Sequence, residues 1–594
     1  MILSASGWRT IFAASGDEHS TEAAITREHT AYAVMAADVF ADYMKARTQL
    51  ENPVIACGMD TRPTCPAIAD AVLRTLLAKK VIVRFTGVTA VPEIMAFSRK
   101  LDGFIYISAS HNPIGYNGIK FGANDGGVLS AAENEKLVAA FNARRAEPQA
   151  VDAALAFLAR SPRSDAQWVY AEQAAAKRDA LLAYEAFVRE MVSGVADSDR
   201  QDELFAALAA GVARRGIGIV CDMNGSARAA SIDSDFFSRL GITFYAIHAV
   251  PGDIVHGIIP EGENLRWCAD EMRRLRAAGH KDVVLGYLPD CDGDRGNVVY
   301  WDETKDDAVI LDAQNVFSLS VLAELAYGAW LNDGQTSYRP AVCMNGPTSE
   351  QSAVIAQRFG AAVFRCEVGE AQVVALAAQK RADGYDVRVC GEGSNGGTII
   401  PPSSVRDPLG TLCAFLKLLT IGDTGKKHGL YHRWCELSDV RYSEHFSIAT
   451  ICATLPAYQT TPSSAERAVI HLKTTDQKKL KKRFQQLFEN EWRTKQPSFE
   501  KAYGITSYEA VRTNGTSEVR GITDFSESGT GGLKIVFSAA GTDTPCAFLW
   551  MRGSQTEPLF RILCDVQGAR PELEHDILEW GRALLTAADD TAEQ

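Results

Sequence analysis

A hydroxyl nucleophile and two nitrogen bases lie close together in the chain, just after the apolar run of residues 104–107. The loop reads Ser108-Ala-Ser-His-Asn-Pro113, so Ser110 and His111 are neighbours, and Lys120 follows shortly afterwards. A serine at the end of a buried strand stands on a rigid edge where a substrate can meet it. Ser110 could carry a phosphoryl group, and Lys120 could take or return a hydroxyl proton if burial and neighbours lower its pKa. The alternative is a turn in which these side chains bond only to backbone.

Three carboxylates with regular spacing follow a second apolar run, residues 283–288, in the segment Pro289-Asp-Cys-Asp-Gly-Asp-Arg295. Alternate residues of an extended loop face the same side, so Asp290, Asp292 and Asp294 can meet one hard cation, and Mg²⁺ fits best. An EF-hand loop is excluded because the glycine stands fourth rather than sixth. The alternative is an acidic turn in solvent.

Two further loops carry groups that suit a phosphorylated, hydroxyl-rich ligand. Residues 390–397 read Cys-Gly-Glu-Gly-Ser-Asn-Gly-Gly, in which Glu392 and Ser394 could bond adjacent sugar hydroxyls. Residues 552–558 read Arg-Gly-Ser-Gln-Thr-Glu-Pro, and together with Arg561 they could form a phosphate cradle. The alternatives are a glycine-rich turn and a solvated polar turn.

One repeated pattern supplies the elements that must position these loops. An apolar run, a segment of helical period and a second apolar run occur three times, which predicts three strand-helix-strand crossovers and therefore α/β domains of related topology. The three copies are residues 54–56, 66–79 and 81–85; residues 217–221, 227–240 and 241–246; and residues 341–343, 349–359 and 360–364.

The last ~150 residues lack this pattern. Short apolar runs at residues 446–452, 533–537 and 546–550 precede a helix near residues 572–585, which predicts an α+β domain with an antiparallel sheet.

Two segments resemble insertions. The alanine-rich residues 131–191 have helical period, and residues 465–495 carry a basic cluster interpreted as a solvated helix face rather than an anion-binding patch. The cluster comprises Lys478, Lys479, Lys481, Lys482 and Arg483.

Composition narrows the class of protein. The chain has 594 residues, enough for three to five domains, and a formal net charge of −13, which disfavours broad binding to nucleic acid or an anionic membrane. The 13 cysteines are scattered without a CxxC pair, which favours a reducing, cytoplasmic location. The sequence shows neither a signal peptide nor an apolar run long enough to span a membrane.

Taken in order, the four loops resemble those of the α-D-phosphohexomutase superfamily, which includes phosphoglucomutases, phosphomannomutases and phosphoglucosamine mutases. The resemblance extends from Ala5-Ser-Gly-Trp-Arg9 to Arg561, with lesser matches at Asp60-Thr-Arg62 and Asp222-Met-Asn-Gly225. The site residues that it implies are, for catalysis, Ser110 as the phosphoserine with Lys120, Arg9 and His111; for the metal ion, Ser110, Asp290, Asp292 and Asp294; and for the substrate, Arg295, Glu392, Ser394, Arg552, Ser554, Thr556 and Arg561.

The resemblance also implies an architecture. We expect a heart-shaped α/β protein in which three related domains with mixed sheets and a carboxyl-terminal α+β domain surround a central cleft. The expected boundaries are 1–206 for the phosphoserine loop, 207–312 for the metal loop, 313–440 for the sugar-recognition loop and 441–594 for the phosphate-binding loop.

The implied activity is interconversion of hexose 1-phosphate and hexose 6-phosphate through the phosphoserine and a hexose 1,6-bisphosphate, with Mg²⁺ as cofactor. Turning the bisphosphate over implies a cleft that closes and reopens, by rotation of the carboxyl-terminal domain. A small-molecule sugar phosphate is the expected partner, and the protein is expected to be a monomer or homodimer. Phosphoglucomutase is favoured mildly by Pro347-Thr-Ser349 and by chain length; phosphomannomutase and phosphoglucosamine mutase are the alternatives.

Three positions depart from the family pattern. Asn395 stands where many bacterial relatives have glycine, Gln555 replaces the usual glycine of the phosphate loop, and Glu370 lies where some relatives place a positive charge. These changes leave open a non-catalytic sugar-phosphate binder. The pair Asp290 and Asp292 also resembles the nucleophile pair of haloacid-dehalogenase-type phosphatases, in which an aspartate is phosphorylated.

Overall fold

The structure is a computed structural model and describes residues 1–161, 163–541, 545–553 and 559–590. The chain forms two compact units. The first comprises Met1–Trp301, Ala308–Ile310 and Pro402–Gly410, and the second comprises Asp302–Asp307, Leu311–Pro401 and Thr411–Gln594. Among the described residues, no helix combines the length and the apolar character needed to cross a membrane.

The first sheet of the first unit has six strands in the order β1-β2-β6-β5-β3-β4. Its strands are β1 (Ile2–Ser4), β2 (Gly7–Ile11), β3 (Val54–Met59), β4 (Ile82–Val88), β5 (Gly103–Ile107) and β6 (Tyr116–Ala123). The accompanying helices are α1 (Arg27–Thr48), α2 (Cys65–Ala78), α3 (Val91–Ser98), α4 (Ala131–Arg145), α5 (Ala150–Arg160), α6 (Arg163–Ala171), α7 (Gln173–Ser193) and α8 (Ser198–Arg215). The alanine-rich segment is therefore helical, as predicted.

Helix α2 shows how the sequence builds a crossover. Proline at its first turn fits the helix start, and Ile68, Val72 and Leu76 form one stripe because they are four residues apart. All three side chains are fully buried in the core of the first sheet, which contributes about 1.5–3 kcal/mol each. The strands on either side of α2, β3 and β4, pair in parallel. The first predicted crossover is thus confirmed.

The second sheet has the order β11-β10-β9-β7-β8. Its elements are β7 (Gly218–Asp222), α9 (Asp233–Arg239), β8 (Thr243–Ile247), α10 (Arg266–Ala277), β9 (Val283–Pro289), β10 (Gly296–Asp302) and β11 (Asp307–Ile310). Strand β7 pairs in parallel with both β8 and β9, which confirms the second crossover. Because the carboxyl ends of parallel strands lie at one edge, the loops after β7 and β9 are neighbours.

The second unit contains a four-stranded sheet of order β13-β12-β14-β15. Its elements are α11 (Ala313–Leu331), β12 (Pro340–Asn345), α12 (Glu350–Arg358), β13 (Ala362–Cys366), α13 (Glu370–Ala382), β14 (Asp386–Glu392) and β15 (Gly397–Ile399). Strands β12 and β13 pair in parallel, which confirms the third crossover. The helices α14 (Pro408–Thr420), α15 (Leu430–Ser438) and α16 (Ile448–Cys452) follow in the chain.

The last sheet, also in the second unit, is antiparallel, as predicted. It has seven strands with two helices: β16 (Tyr458–Thr460), β17 (Val469–His471), α17 (Gln477–Tyr503), β18 (Ile505–Asn514), β19 (Ser517–Arg520), β20 (Gly532–Ala539), β21 (Pro545–Gly553), β22 (Leu559–Gln567) and α18 (Pro571–Asp590). The prediction that residues 446–452 belong to this sheet is wrong. They form α16, because Ser447 caps a helix there and the side chain of Thr450 returns the contact.

The basic segment is the amino-terminal half of α17. Lys478, Lys479 and Lys482 are exposed, as expected for a solvated face. Lys481 instead is fully buried, and its ammonium donates to the carbonyl oxygens of Gly529 (2.9 Å) and Gly531 (2.6 Å). The interpretation of this segment is therefore wrong for one lysine, because the stripe that faces the core includes position 481.

Candidate active site

The Ser110 loop begins where strand β5 ends in the first unit. Ser110 is buried and has a φ of 54°, in the left-handed region that costs a residue with a side chain roughly 1–3 kcal/mol. Its backbone N–H donates to the hydroxyl of Ser108 (2.8 Å). The hydroxyl group of Ser110 therefore has a fixed direction at the edge of the sheet.

Arg62 holds this loop in shape. Its backbone N–H and its Nε donate to the Asp60 carboxylate, at 2.9 and 3.2 Å, and both residues are buried at the end of β3. The remaining guanidinium nitrogens donate to four backbone carbonyl oxygens of the loop: those of Ser110 (2.7 Å), Asn112 (2.6 Å), Pro113 (2.6 Å) and Tyr116 (3.0 Å). The planar fork of arginine, with five donors, is suited to this arrangement.

The three aspartates follow strand β9 and meet the serine loop. The Ser110 hydroxyl donates to Asp290 Oδ2 (3.0 Å), and the Ser108 hydroxyl donates to Asp292 Oδ2 (3.1 Å). Gly293 lets the loop curl, because it has a φ of 72° and a Cβ there would lie 2.4 Å from Cγ of Arg228. The loop thus brings the carboxylates to the nucleophile.

The donor set fits a hard divalent cation. One carboxylate oxygen from each of Asp290, Asp292 and Asp294 lies within 4.8 Å of the others, and all three residues are buried. Oδ1 of Asp292 and Oδ1 of Asp294 are buried without a hydrogen-bond partner among the described residues. An orphaned buried acceptor is costly, whereas oxygen ligands of this kind are those that Mg²⁺ prefers.

Positive side chains compensate part of this negative charge. Lys120 Nζ lies 2.7 Å from Asp292 Oδ2 and 4.0 Å from Asp294 Oδ2, and Arg406 Nη2 lies 3.0 Å from Asp294 Oδ2. Burial lowers the pKa of Lys120, but the two carboxylates outweigh it and raise that pKa above its ordinary value. The condition under which Lys120 would accept a proton, a lowered pKa, is therefore not met here, and Lys120 is an ammonium.

The pKa values of Asp290 and Asp292 shift in opposite directions. Burial, followed by the charges of Asp292 and Asp294, holds the pKa of Asp290 well above its usual range. Burial alone would also raise the pKa of Asp292, but the neighbouring Lys120 ammonium outweighs it and holds that pKa below the usual range. Asp292 therefore favours its ionised form and Asp290 its protonated form, because the Lys120 ammonium contacts Asp292.

His111 differs from Lys120 in charge state. Its Nδ1 lies 3.4 Å from Ser110 Oγ. The nearby Arg295 guanidinium, then burial, then Arg9 hold the pKa of His111 well below its usual range, so the ring is neutral at neutral pH. A neutral imidazole beside the hydroxyl can accept a proton.

Two of the four arginines of the predicted set, Arg9 and Arg295, also lie at this loop cluster. Arg9 donates to Oδ1 of Asn112 (2.9 Å), and its Nε is buried without a hydrogen-bond partner among the described residues. The backbone N–H of Arg295 donates to Asp290 Oδ1 (3.1 Å), and its Nε is likewise unpartnered within the described chain. Both guanidinium groups therefore have donor capacity left for an anion.

In the second unit, Glu392 ends strand β14 and is buried. Its Oε1 accepts from Nδ2 of Asn345 (3.0 Å) and from the N–H of Gly369 (2.8 Å), and its Oε2 accepts from Nδ2 of Asn395 (3.3 Å). Ser394 follows in the same turn, where its carbonyl accepts from the Ser463 hydroxyl (2.6 Å). The asparagine that departs from the family pattern thus folds back on the carboxylate.

Arg552 and Arg561 stand directly opposite each other on the neighbouring strands β21 and β22 of this unit, so both point to one face of the sheet. Nε of Arg552 lies 3.2 Å from Oε1 of the buried Glu367, and Nη1 of Arg561 donates to the carbonyl of Ser463 (2.9 Å). Two opposed like charges destabilise a sheet unless an anion joins them. Ser554 and Thr556 lie outside the described residues.

Comparison with known proteins shows what the amino-terminal part of this chain is similar to. Residues 9–147 match the family model "Phosphoglucomutase/phosphomannomutase, alpha/beta/alpha domain I". A phosphoglucosamine mutase of Macrococcus caseolyticus is 34% identical over 106 residues, which is 18% of this chain and 24% of that protein. A probable phosphoglucosamine mutase of Methanopyrus kandleri is 37% identical over 90 residues, which is 15% of this chain and 20% of that protein. The matches thus span about a quarter or less of these relatives.

Two solved structures share the fold over the whole chain. One is a phosphoglucomutase/phosphomannomutase family protein of Burkholderia thailandensis, with a TM-score of 0.58, 16% identity and coverage of 99% of this chain and 97% of that one. The other is the phosphoglucomutase parafusin of Paramecium, in an open form, with a TM-score of 0.59, 13% identity and coverage of 98% and 96%. Residues 9–147 thus resemble the first domain of this family, and the whole chain shares the fold of these structures.

The chain has the α/β fold that the repeated pattern and the resemblance predicted, built from several mixed sheets. In the first unit, the structure brings together Ser110, His111, Lys120, Arg9, Asp290, Asp292, Asp294 and Arg295. In the second unit, Glu392 and Ser394 share one turn, and Arg552 and Arg561 share one sheet face. Their roles in catalysis and binding, and the four domain boundaries, stay predictions.

The sequence interpretation missed three residues that hold these loops. Arg62 was part of a matched signature but had no role, and Arg406 and Glu367 belonged to no motif. Each is a buried charged side chain in a short irregular segment, paired with a residue far away in the chain. Sequence periodicity carries no signal for such a pair. The signature around Asp60 was the only available pointer, and it concerned Arg62 alone.

Proposed function

We propose that the protein is a phosphohexomutase, which interconverts hexose 1-phosphate and hexose 6-phosphate through a phosphoserine at Ser110 and a bound hexose 1,6-bisphosphate. The observation that carries the proposal is the contact of the Ser110 hydroxyl with Asp290, inside a cluster of three buried carboxylates, on a strained turn that Arg62 fixes. Strain of this kind, maintained by surrounding contacts, is characteristic of reactive residues.

The transfer has two matched halves. In the first, the bond between phosphorus and Ser110 Oγ breaks while a bond forms to the free sugar hydroxyl; the sugar hydroxyl gives up its proton and Ser110 Oγ takes one up. In the second, the other phosphate of the bisphosphate is transferred to Ser110 Oγ, which gives up its proton, and the sugar oxygen that loses the phosphate takes up a proton. Nothing is oxidised or reduced, and no water is consumed.

Residues of the first unit supply the proton and charge chemistry. His111 is our candidate to accept the sugar proton, since its Nδ1 lies 3.4 Å from Ser110 Oγ. Lys120 is already an ammonium and is better suited to stabilise negative charge and to return a proton than to remove one. Arg9 and Arg295 each have a buried Nε without a hydrogen-bond partner in the described part of the chain, which could donate to the phosphoryl oxygens.

Mg²⁺ is the proposed cofactor. Asp290, Asp292, Asp294 and Ser110 would hold it, and it would supply neutralisation of the charge on the transferring phosphoryl group. For the substrate, Glu392 and Ser394 are proposed to bind sugar hydroxyls. Arg552 and Arg561, with Ser554 and Thr556, are proposed to bind the non-reacting phosphate, because two opposed guanidinium groups on one sheet face suit an anion.

We expect glucose phosphate to be the preferred substrate, with mannose phosphate and glucosamine phosphate as alternatives. The curated relatives that share part of the sequence are phosphoglucosamine mutases. The decisive assay supplies glucose 1-phosphate, mannose 1-phosphate or glucosamine 1-phosphate with Mg²⁺ and a trace of the matching bisphosphate. Conversion of at least one of them to the 6-phosphate is expected; release of inorganic phosphate without isomerisation would instead indicate a phosphatase.

A further inference from the structure

Two histidines face one buried carboxylate at the end of strand β7 in the first unit. Nδ1 of His248 lies 2.8 Å from Oδ1 of Asp222, and Nε2 of His256 lies 2.8 Å from Oδ2 of the same group. Asp222 is fully buried, the His256 side chain is 6% exposed, and donor atoms of the three residues lie within 4.8 Å of one another. None of these residues takes part in the proposed phosphoryl transfer.

The hydrogen-bond pattern of His256 calls for a cation. Its Nδ1 lies 3.1 Å from the carbonyl oxygen of Gly257, and a carbonyl only accepts, so Nδ1 carries a hydrogen. A neutral imidazole has one N–H, which leaves the lone pair of Nε2 pointing at the Asp222 carboxylate. Either a second proton or a metal ion must lie between them. Histidines that bind metals commonly donate their other N–H to a backbone carbonyl, as here.

Hydrogen bonds from Asn224 fix the backbone around the cluster without a bound ion. Oδ1 of Asn224 accepts from the N–H groups of Val255 (2.8 Å) and His256 (3.2 Å), and Nδ2 of Asn224 donates to the His256 carbonyl (3.2 Å). His248 has a φ of 46°, in the left-handed region, and its carbonyl accepts from the N–H of Gly225 (3.0 Å). Both rings therefore reach the carboxylate on fixed backbone, as the ligands of a built site do.

We propose that Asp222, His248 and His256 bind a divalent cation of the Zn²⁺ type. Imidazole with carboxylate suits Zn²⁺, whereas Mg²⁺ prefers oxygen ligands alone. Tetrahedral zinc ligands at roughly 2.0–2.2 Å from the ion lie about 3.4 Å from one another. The nitrogen-to-oxygen distances of 2.8 Å would therefore lengthen by about 0.6 Å on binding. The His248 side chain is 24% exposed, which leaves a path from solvent by which the ion could enter.

The ion would fasten the segment that carries His256 to the end of β7. Ser226, just beyond that end, donates its hydroxyl to the carbonyl of Asp290 (2.6 Å). The indole ring of Trp267 stacks on the His256 ring at 5.4 Å between centroids, with an angle of 8° between planes. The site would thus be a structural one beside the metal loop, distinct from the three aspartates in both ligand type and residues.

A second cluster, Asp423 with His428 and His432 in the second unit, provides a matched control. Nδ1 of His432 lies 2.8 Å from Oδ2 of Asp423, but the side chains of Asp423 and His428 are 39% and 52% exposed. Nothing in the described chain calls for a cation at that cluster. Replacing His432 therefore removes an imidazole next to a carboxylate without touching the proposed site.

The test measures Zn²⁺ bound to the full-length protein by elemental analysis after chelation and equilibrium dialysis with trace Zn²⁺ in excess Mg²⁺. After chelation, the wild type and His432→Gln are expected to retain one Zn²⁺ per chain, and His256→Gln and His248→Gln are expected to lose it. In dialysis, the affinity of His256→Gln and of His248→Gln for Zn²⁺ should be at least tenfold lower than that of the wild type. Wild-type retention in both histidine variants would overturn the proposal, as would no retained Zn²⁺ in the wild type.

A second measurement leaves the proposed site unchanged, so its result does not depend on whether His256→Gln folds. X-ray absorption of zinc-loaded His432→Gln protein should show two imidazole ligands and oxygen ligands around the ion. A spectrum with oxygen ligands only would contradict the proposal and would leave a protonated His256 as the cation that pairs with Asp222.

Discussion

Arg62 is the residue on which the geometry of the serine loop most depends. Its guanidinium group contacts the Asp60 carboxylate and four backbone carbonyls, and it is 1% exposed. Lysine could not replace it, because an ammonium has three donors and no planar fork. Ser110 is therefore positioned by a side chain that contacts the loop backbone and not the Ser110 hydroxyl.

Replacement of Arg62 by alanine should destabilise the first unit by about 3–5 kcal/mol, because it leaves a buried carboxylate and the loop carbonyls unpaired. Urea unfolding followed by tryptophan fluorescence measures the change. Arg27→Ala is the control, since Arg27 and its partner Asp152 are mostly exposed and such a pair contributes about 0–1 kcal/mol. Equal stability of the two variants would contradict this role for Arg62.

At the residue scale, the sequence located groups but not their charge states. Ser110 and the three aspartates were identifiable because a nucleophile and a regularly spaced acidic loop each follow an apolar run. The charges of Lys120 and His111 depend on Asp292 and Arg295, which are distant in the chain and reach the loop only after folding. That information lies in tertiary contacts rather than in local sequence.

Among the elements, helix α17 carries a buried lysine whose charge responds to pH. Burial lowers the pKa of Lys481 to about 7, whereas an unfolded lysine titrates near 10.4. Between these values the unfolded chain binds more protons, so the free energy of unfolding rises with pH there, and the cost of the buried charge is largest below pH ~7.

We expect Lys481→Met to remove this dependence. From pH ~7 to ~9 the wild type should gain about 2 kcal/mol of stability relative to the variant, from a pKa difference between folded and unfolded chains. Urea unfolding at each pH gives the difference. Lys479→Met is the matched control, since that side chain is 73% exposed, and its curve should run parallel to that of the wild type. Parallel curves for Lys481→Met would contradict the assignment.

The strand pair β21 and β22 supports a second prediction at this scale. Arg552→Ala should raise KM for hexose phosphate about 10–100-fold with little change in kcat, since a lost charged hydrogen bond costs about 1.5–3 kcal/mol of binding. Steady-state kinetics measure both constants. Arg520→Ala, on the exposed strand β19 and paired with Glu509, should leave KM unchanged. A fall in kcat alone for Arg552→Ala would place this residue at the reacting atoms instead.

Helices and strands were predicted correctly from the sequence where the segment with a regular apolar period was long, and wrongly where that segment was short. The crossovers at β3, β7 and β12 were predictable because each joins two apolar runs through a helical stripe. Residues 446–452 were too few for their apolar period to distinguish a strand from helix α16, and the capping contact of Ser447 decided the outcome. Lys481 was misplaced because a run of lysines masks which one faces the core.

On the scale of the whole molecule, activity should depend on a divalent cation at the three aspartates. Dialysis against a chelator should abolish isomerisation of hexose phosphate, and Mg²⁺ should restore it. The reason is that Oδ1 of Asp292 and Oδ1 of Asp294, which have no hydrogen-bond partner among the described residues, are free to bind the cation. Asp294→Asn should weaken this restoration, whereas Asp423→Asn, in the exposed cluster, should respond as the wild type does. Full activity of the chelated wild type would exclude a metal requirement.

The most direct measurement is where a phosphoryl group resides after reaction with hexose 1,6-bisphosphate. Peptide mass mapping should find one phosphoryl group on Ser110, stable to hydroxylamine, and none on Ser110→Ala, which should also lack turnover. A hydroxylamine-sensitive phosphoryl group on Asp290, or a Ser110→Ala protein that retains near-normal isomerisation, would contradict the account.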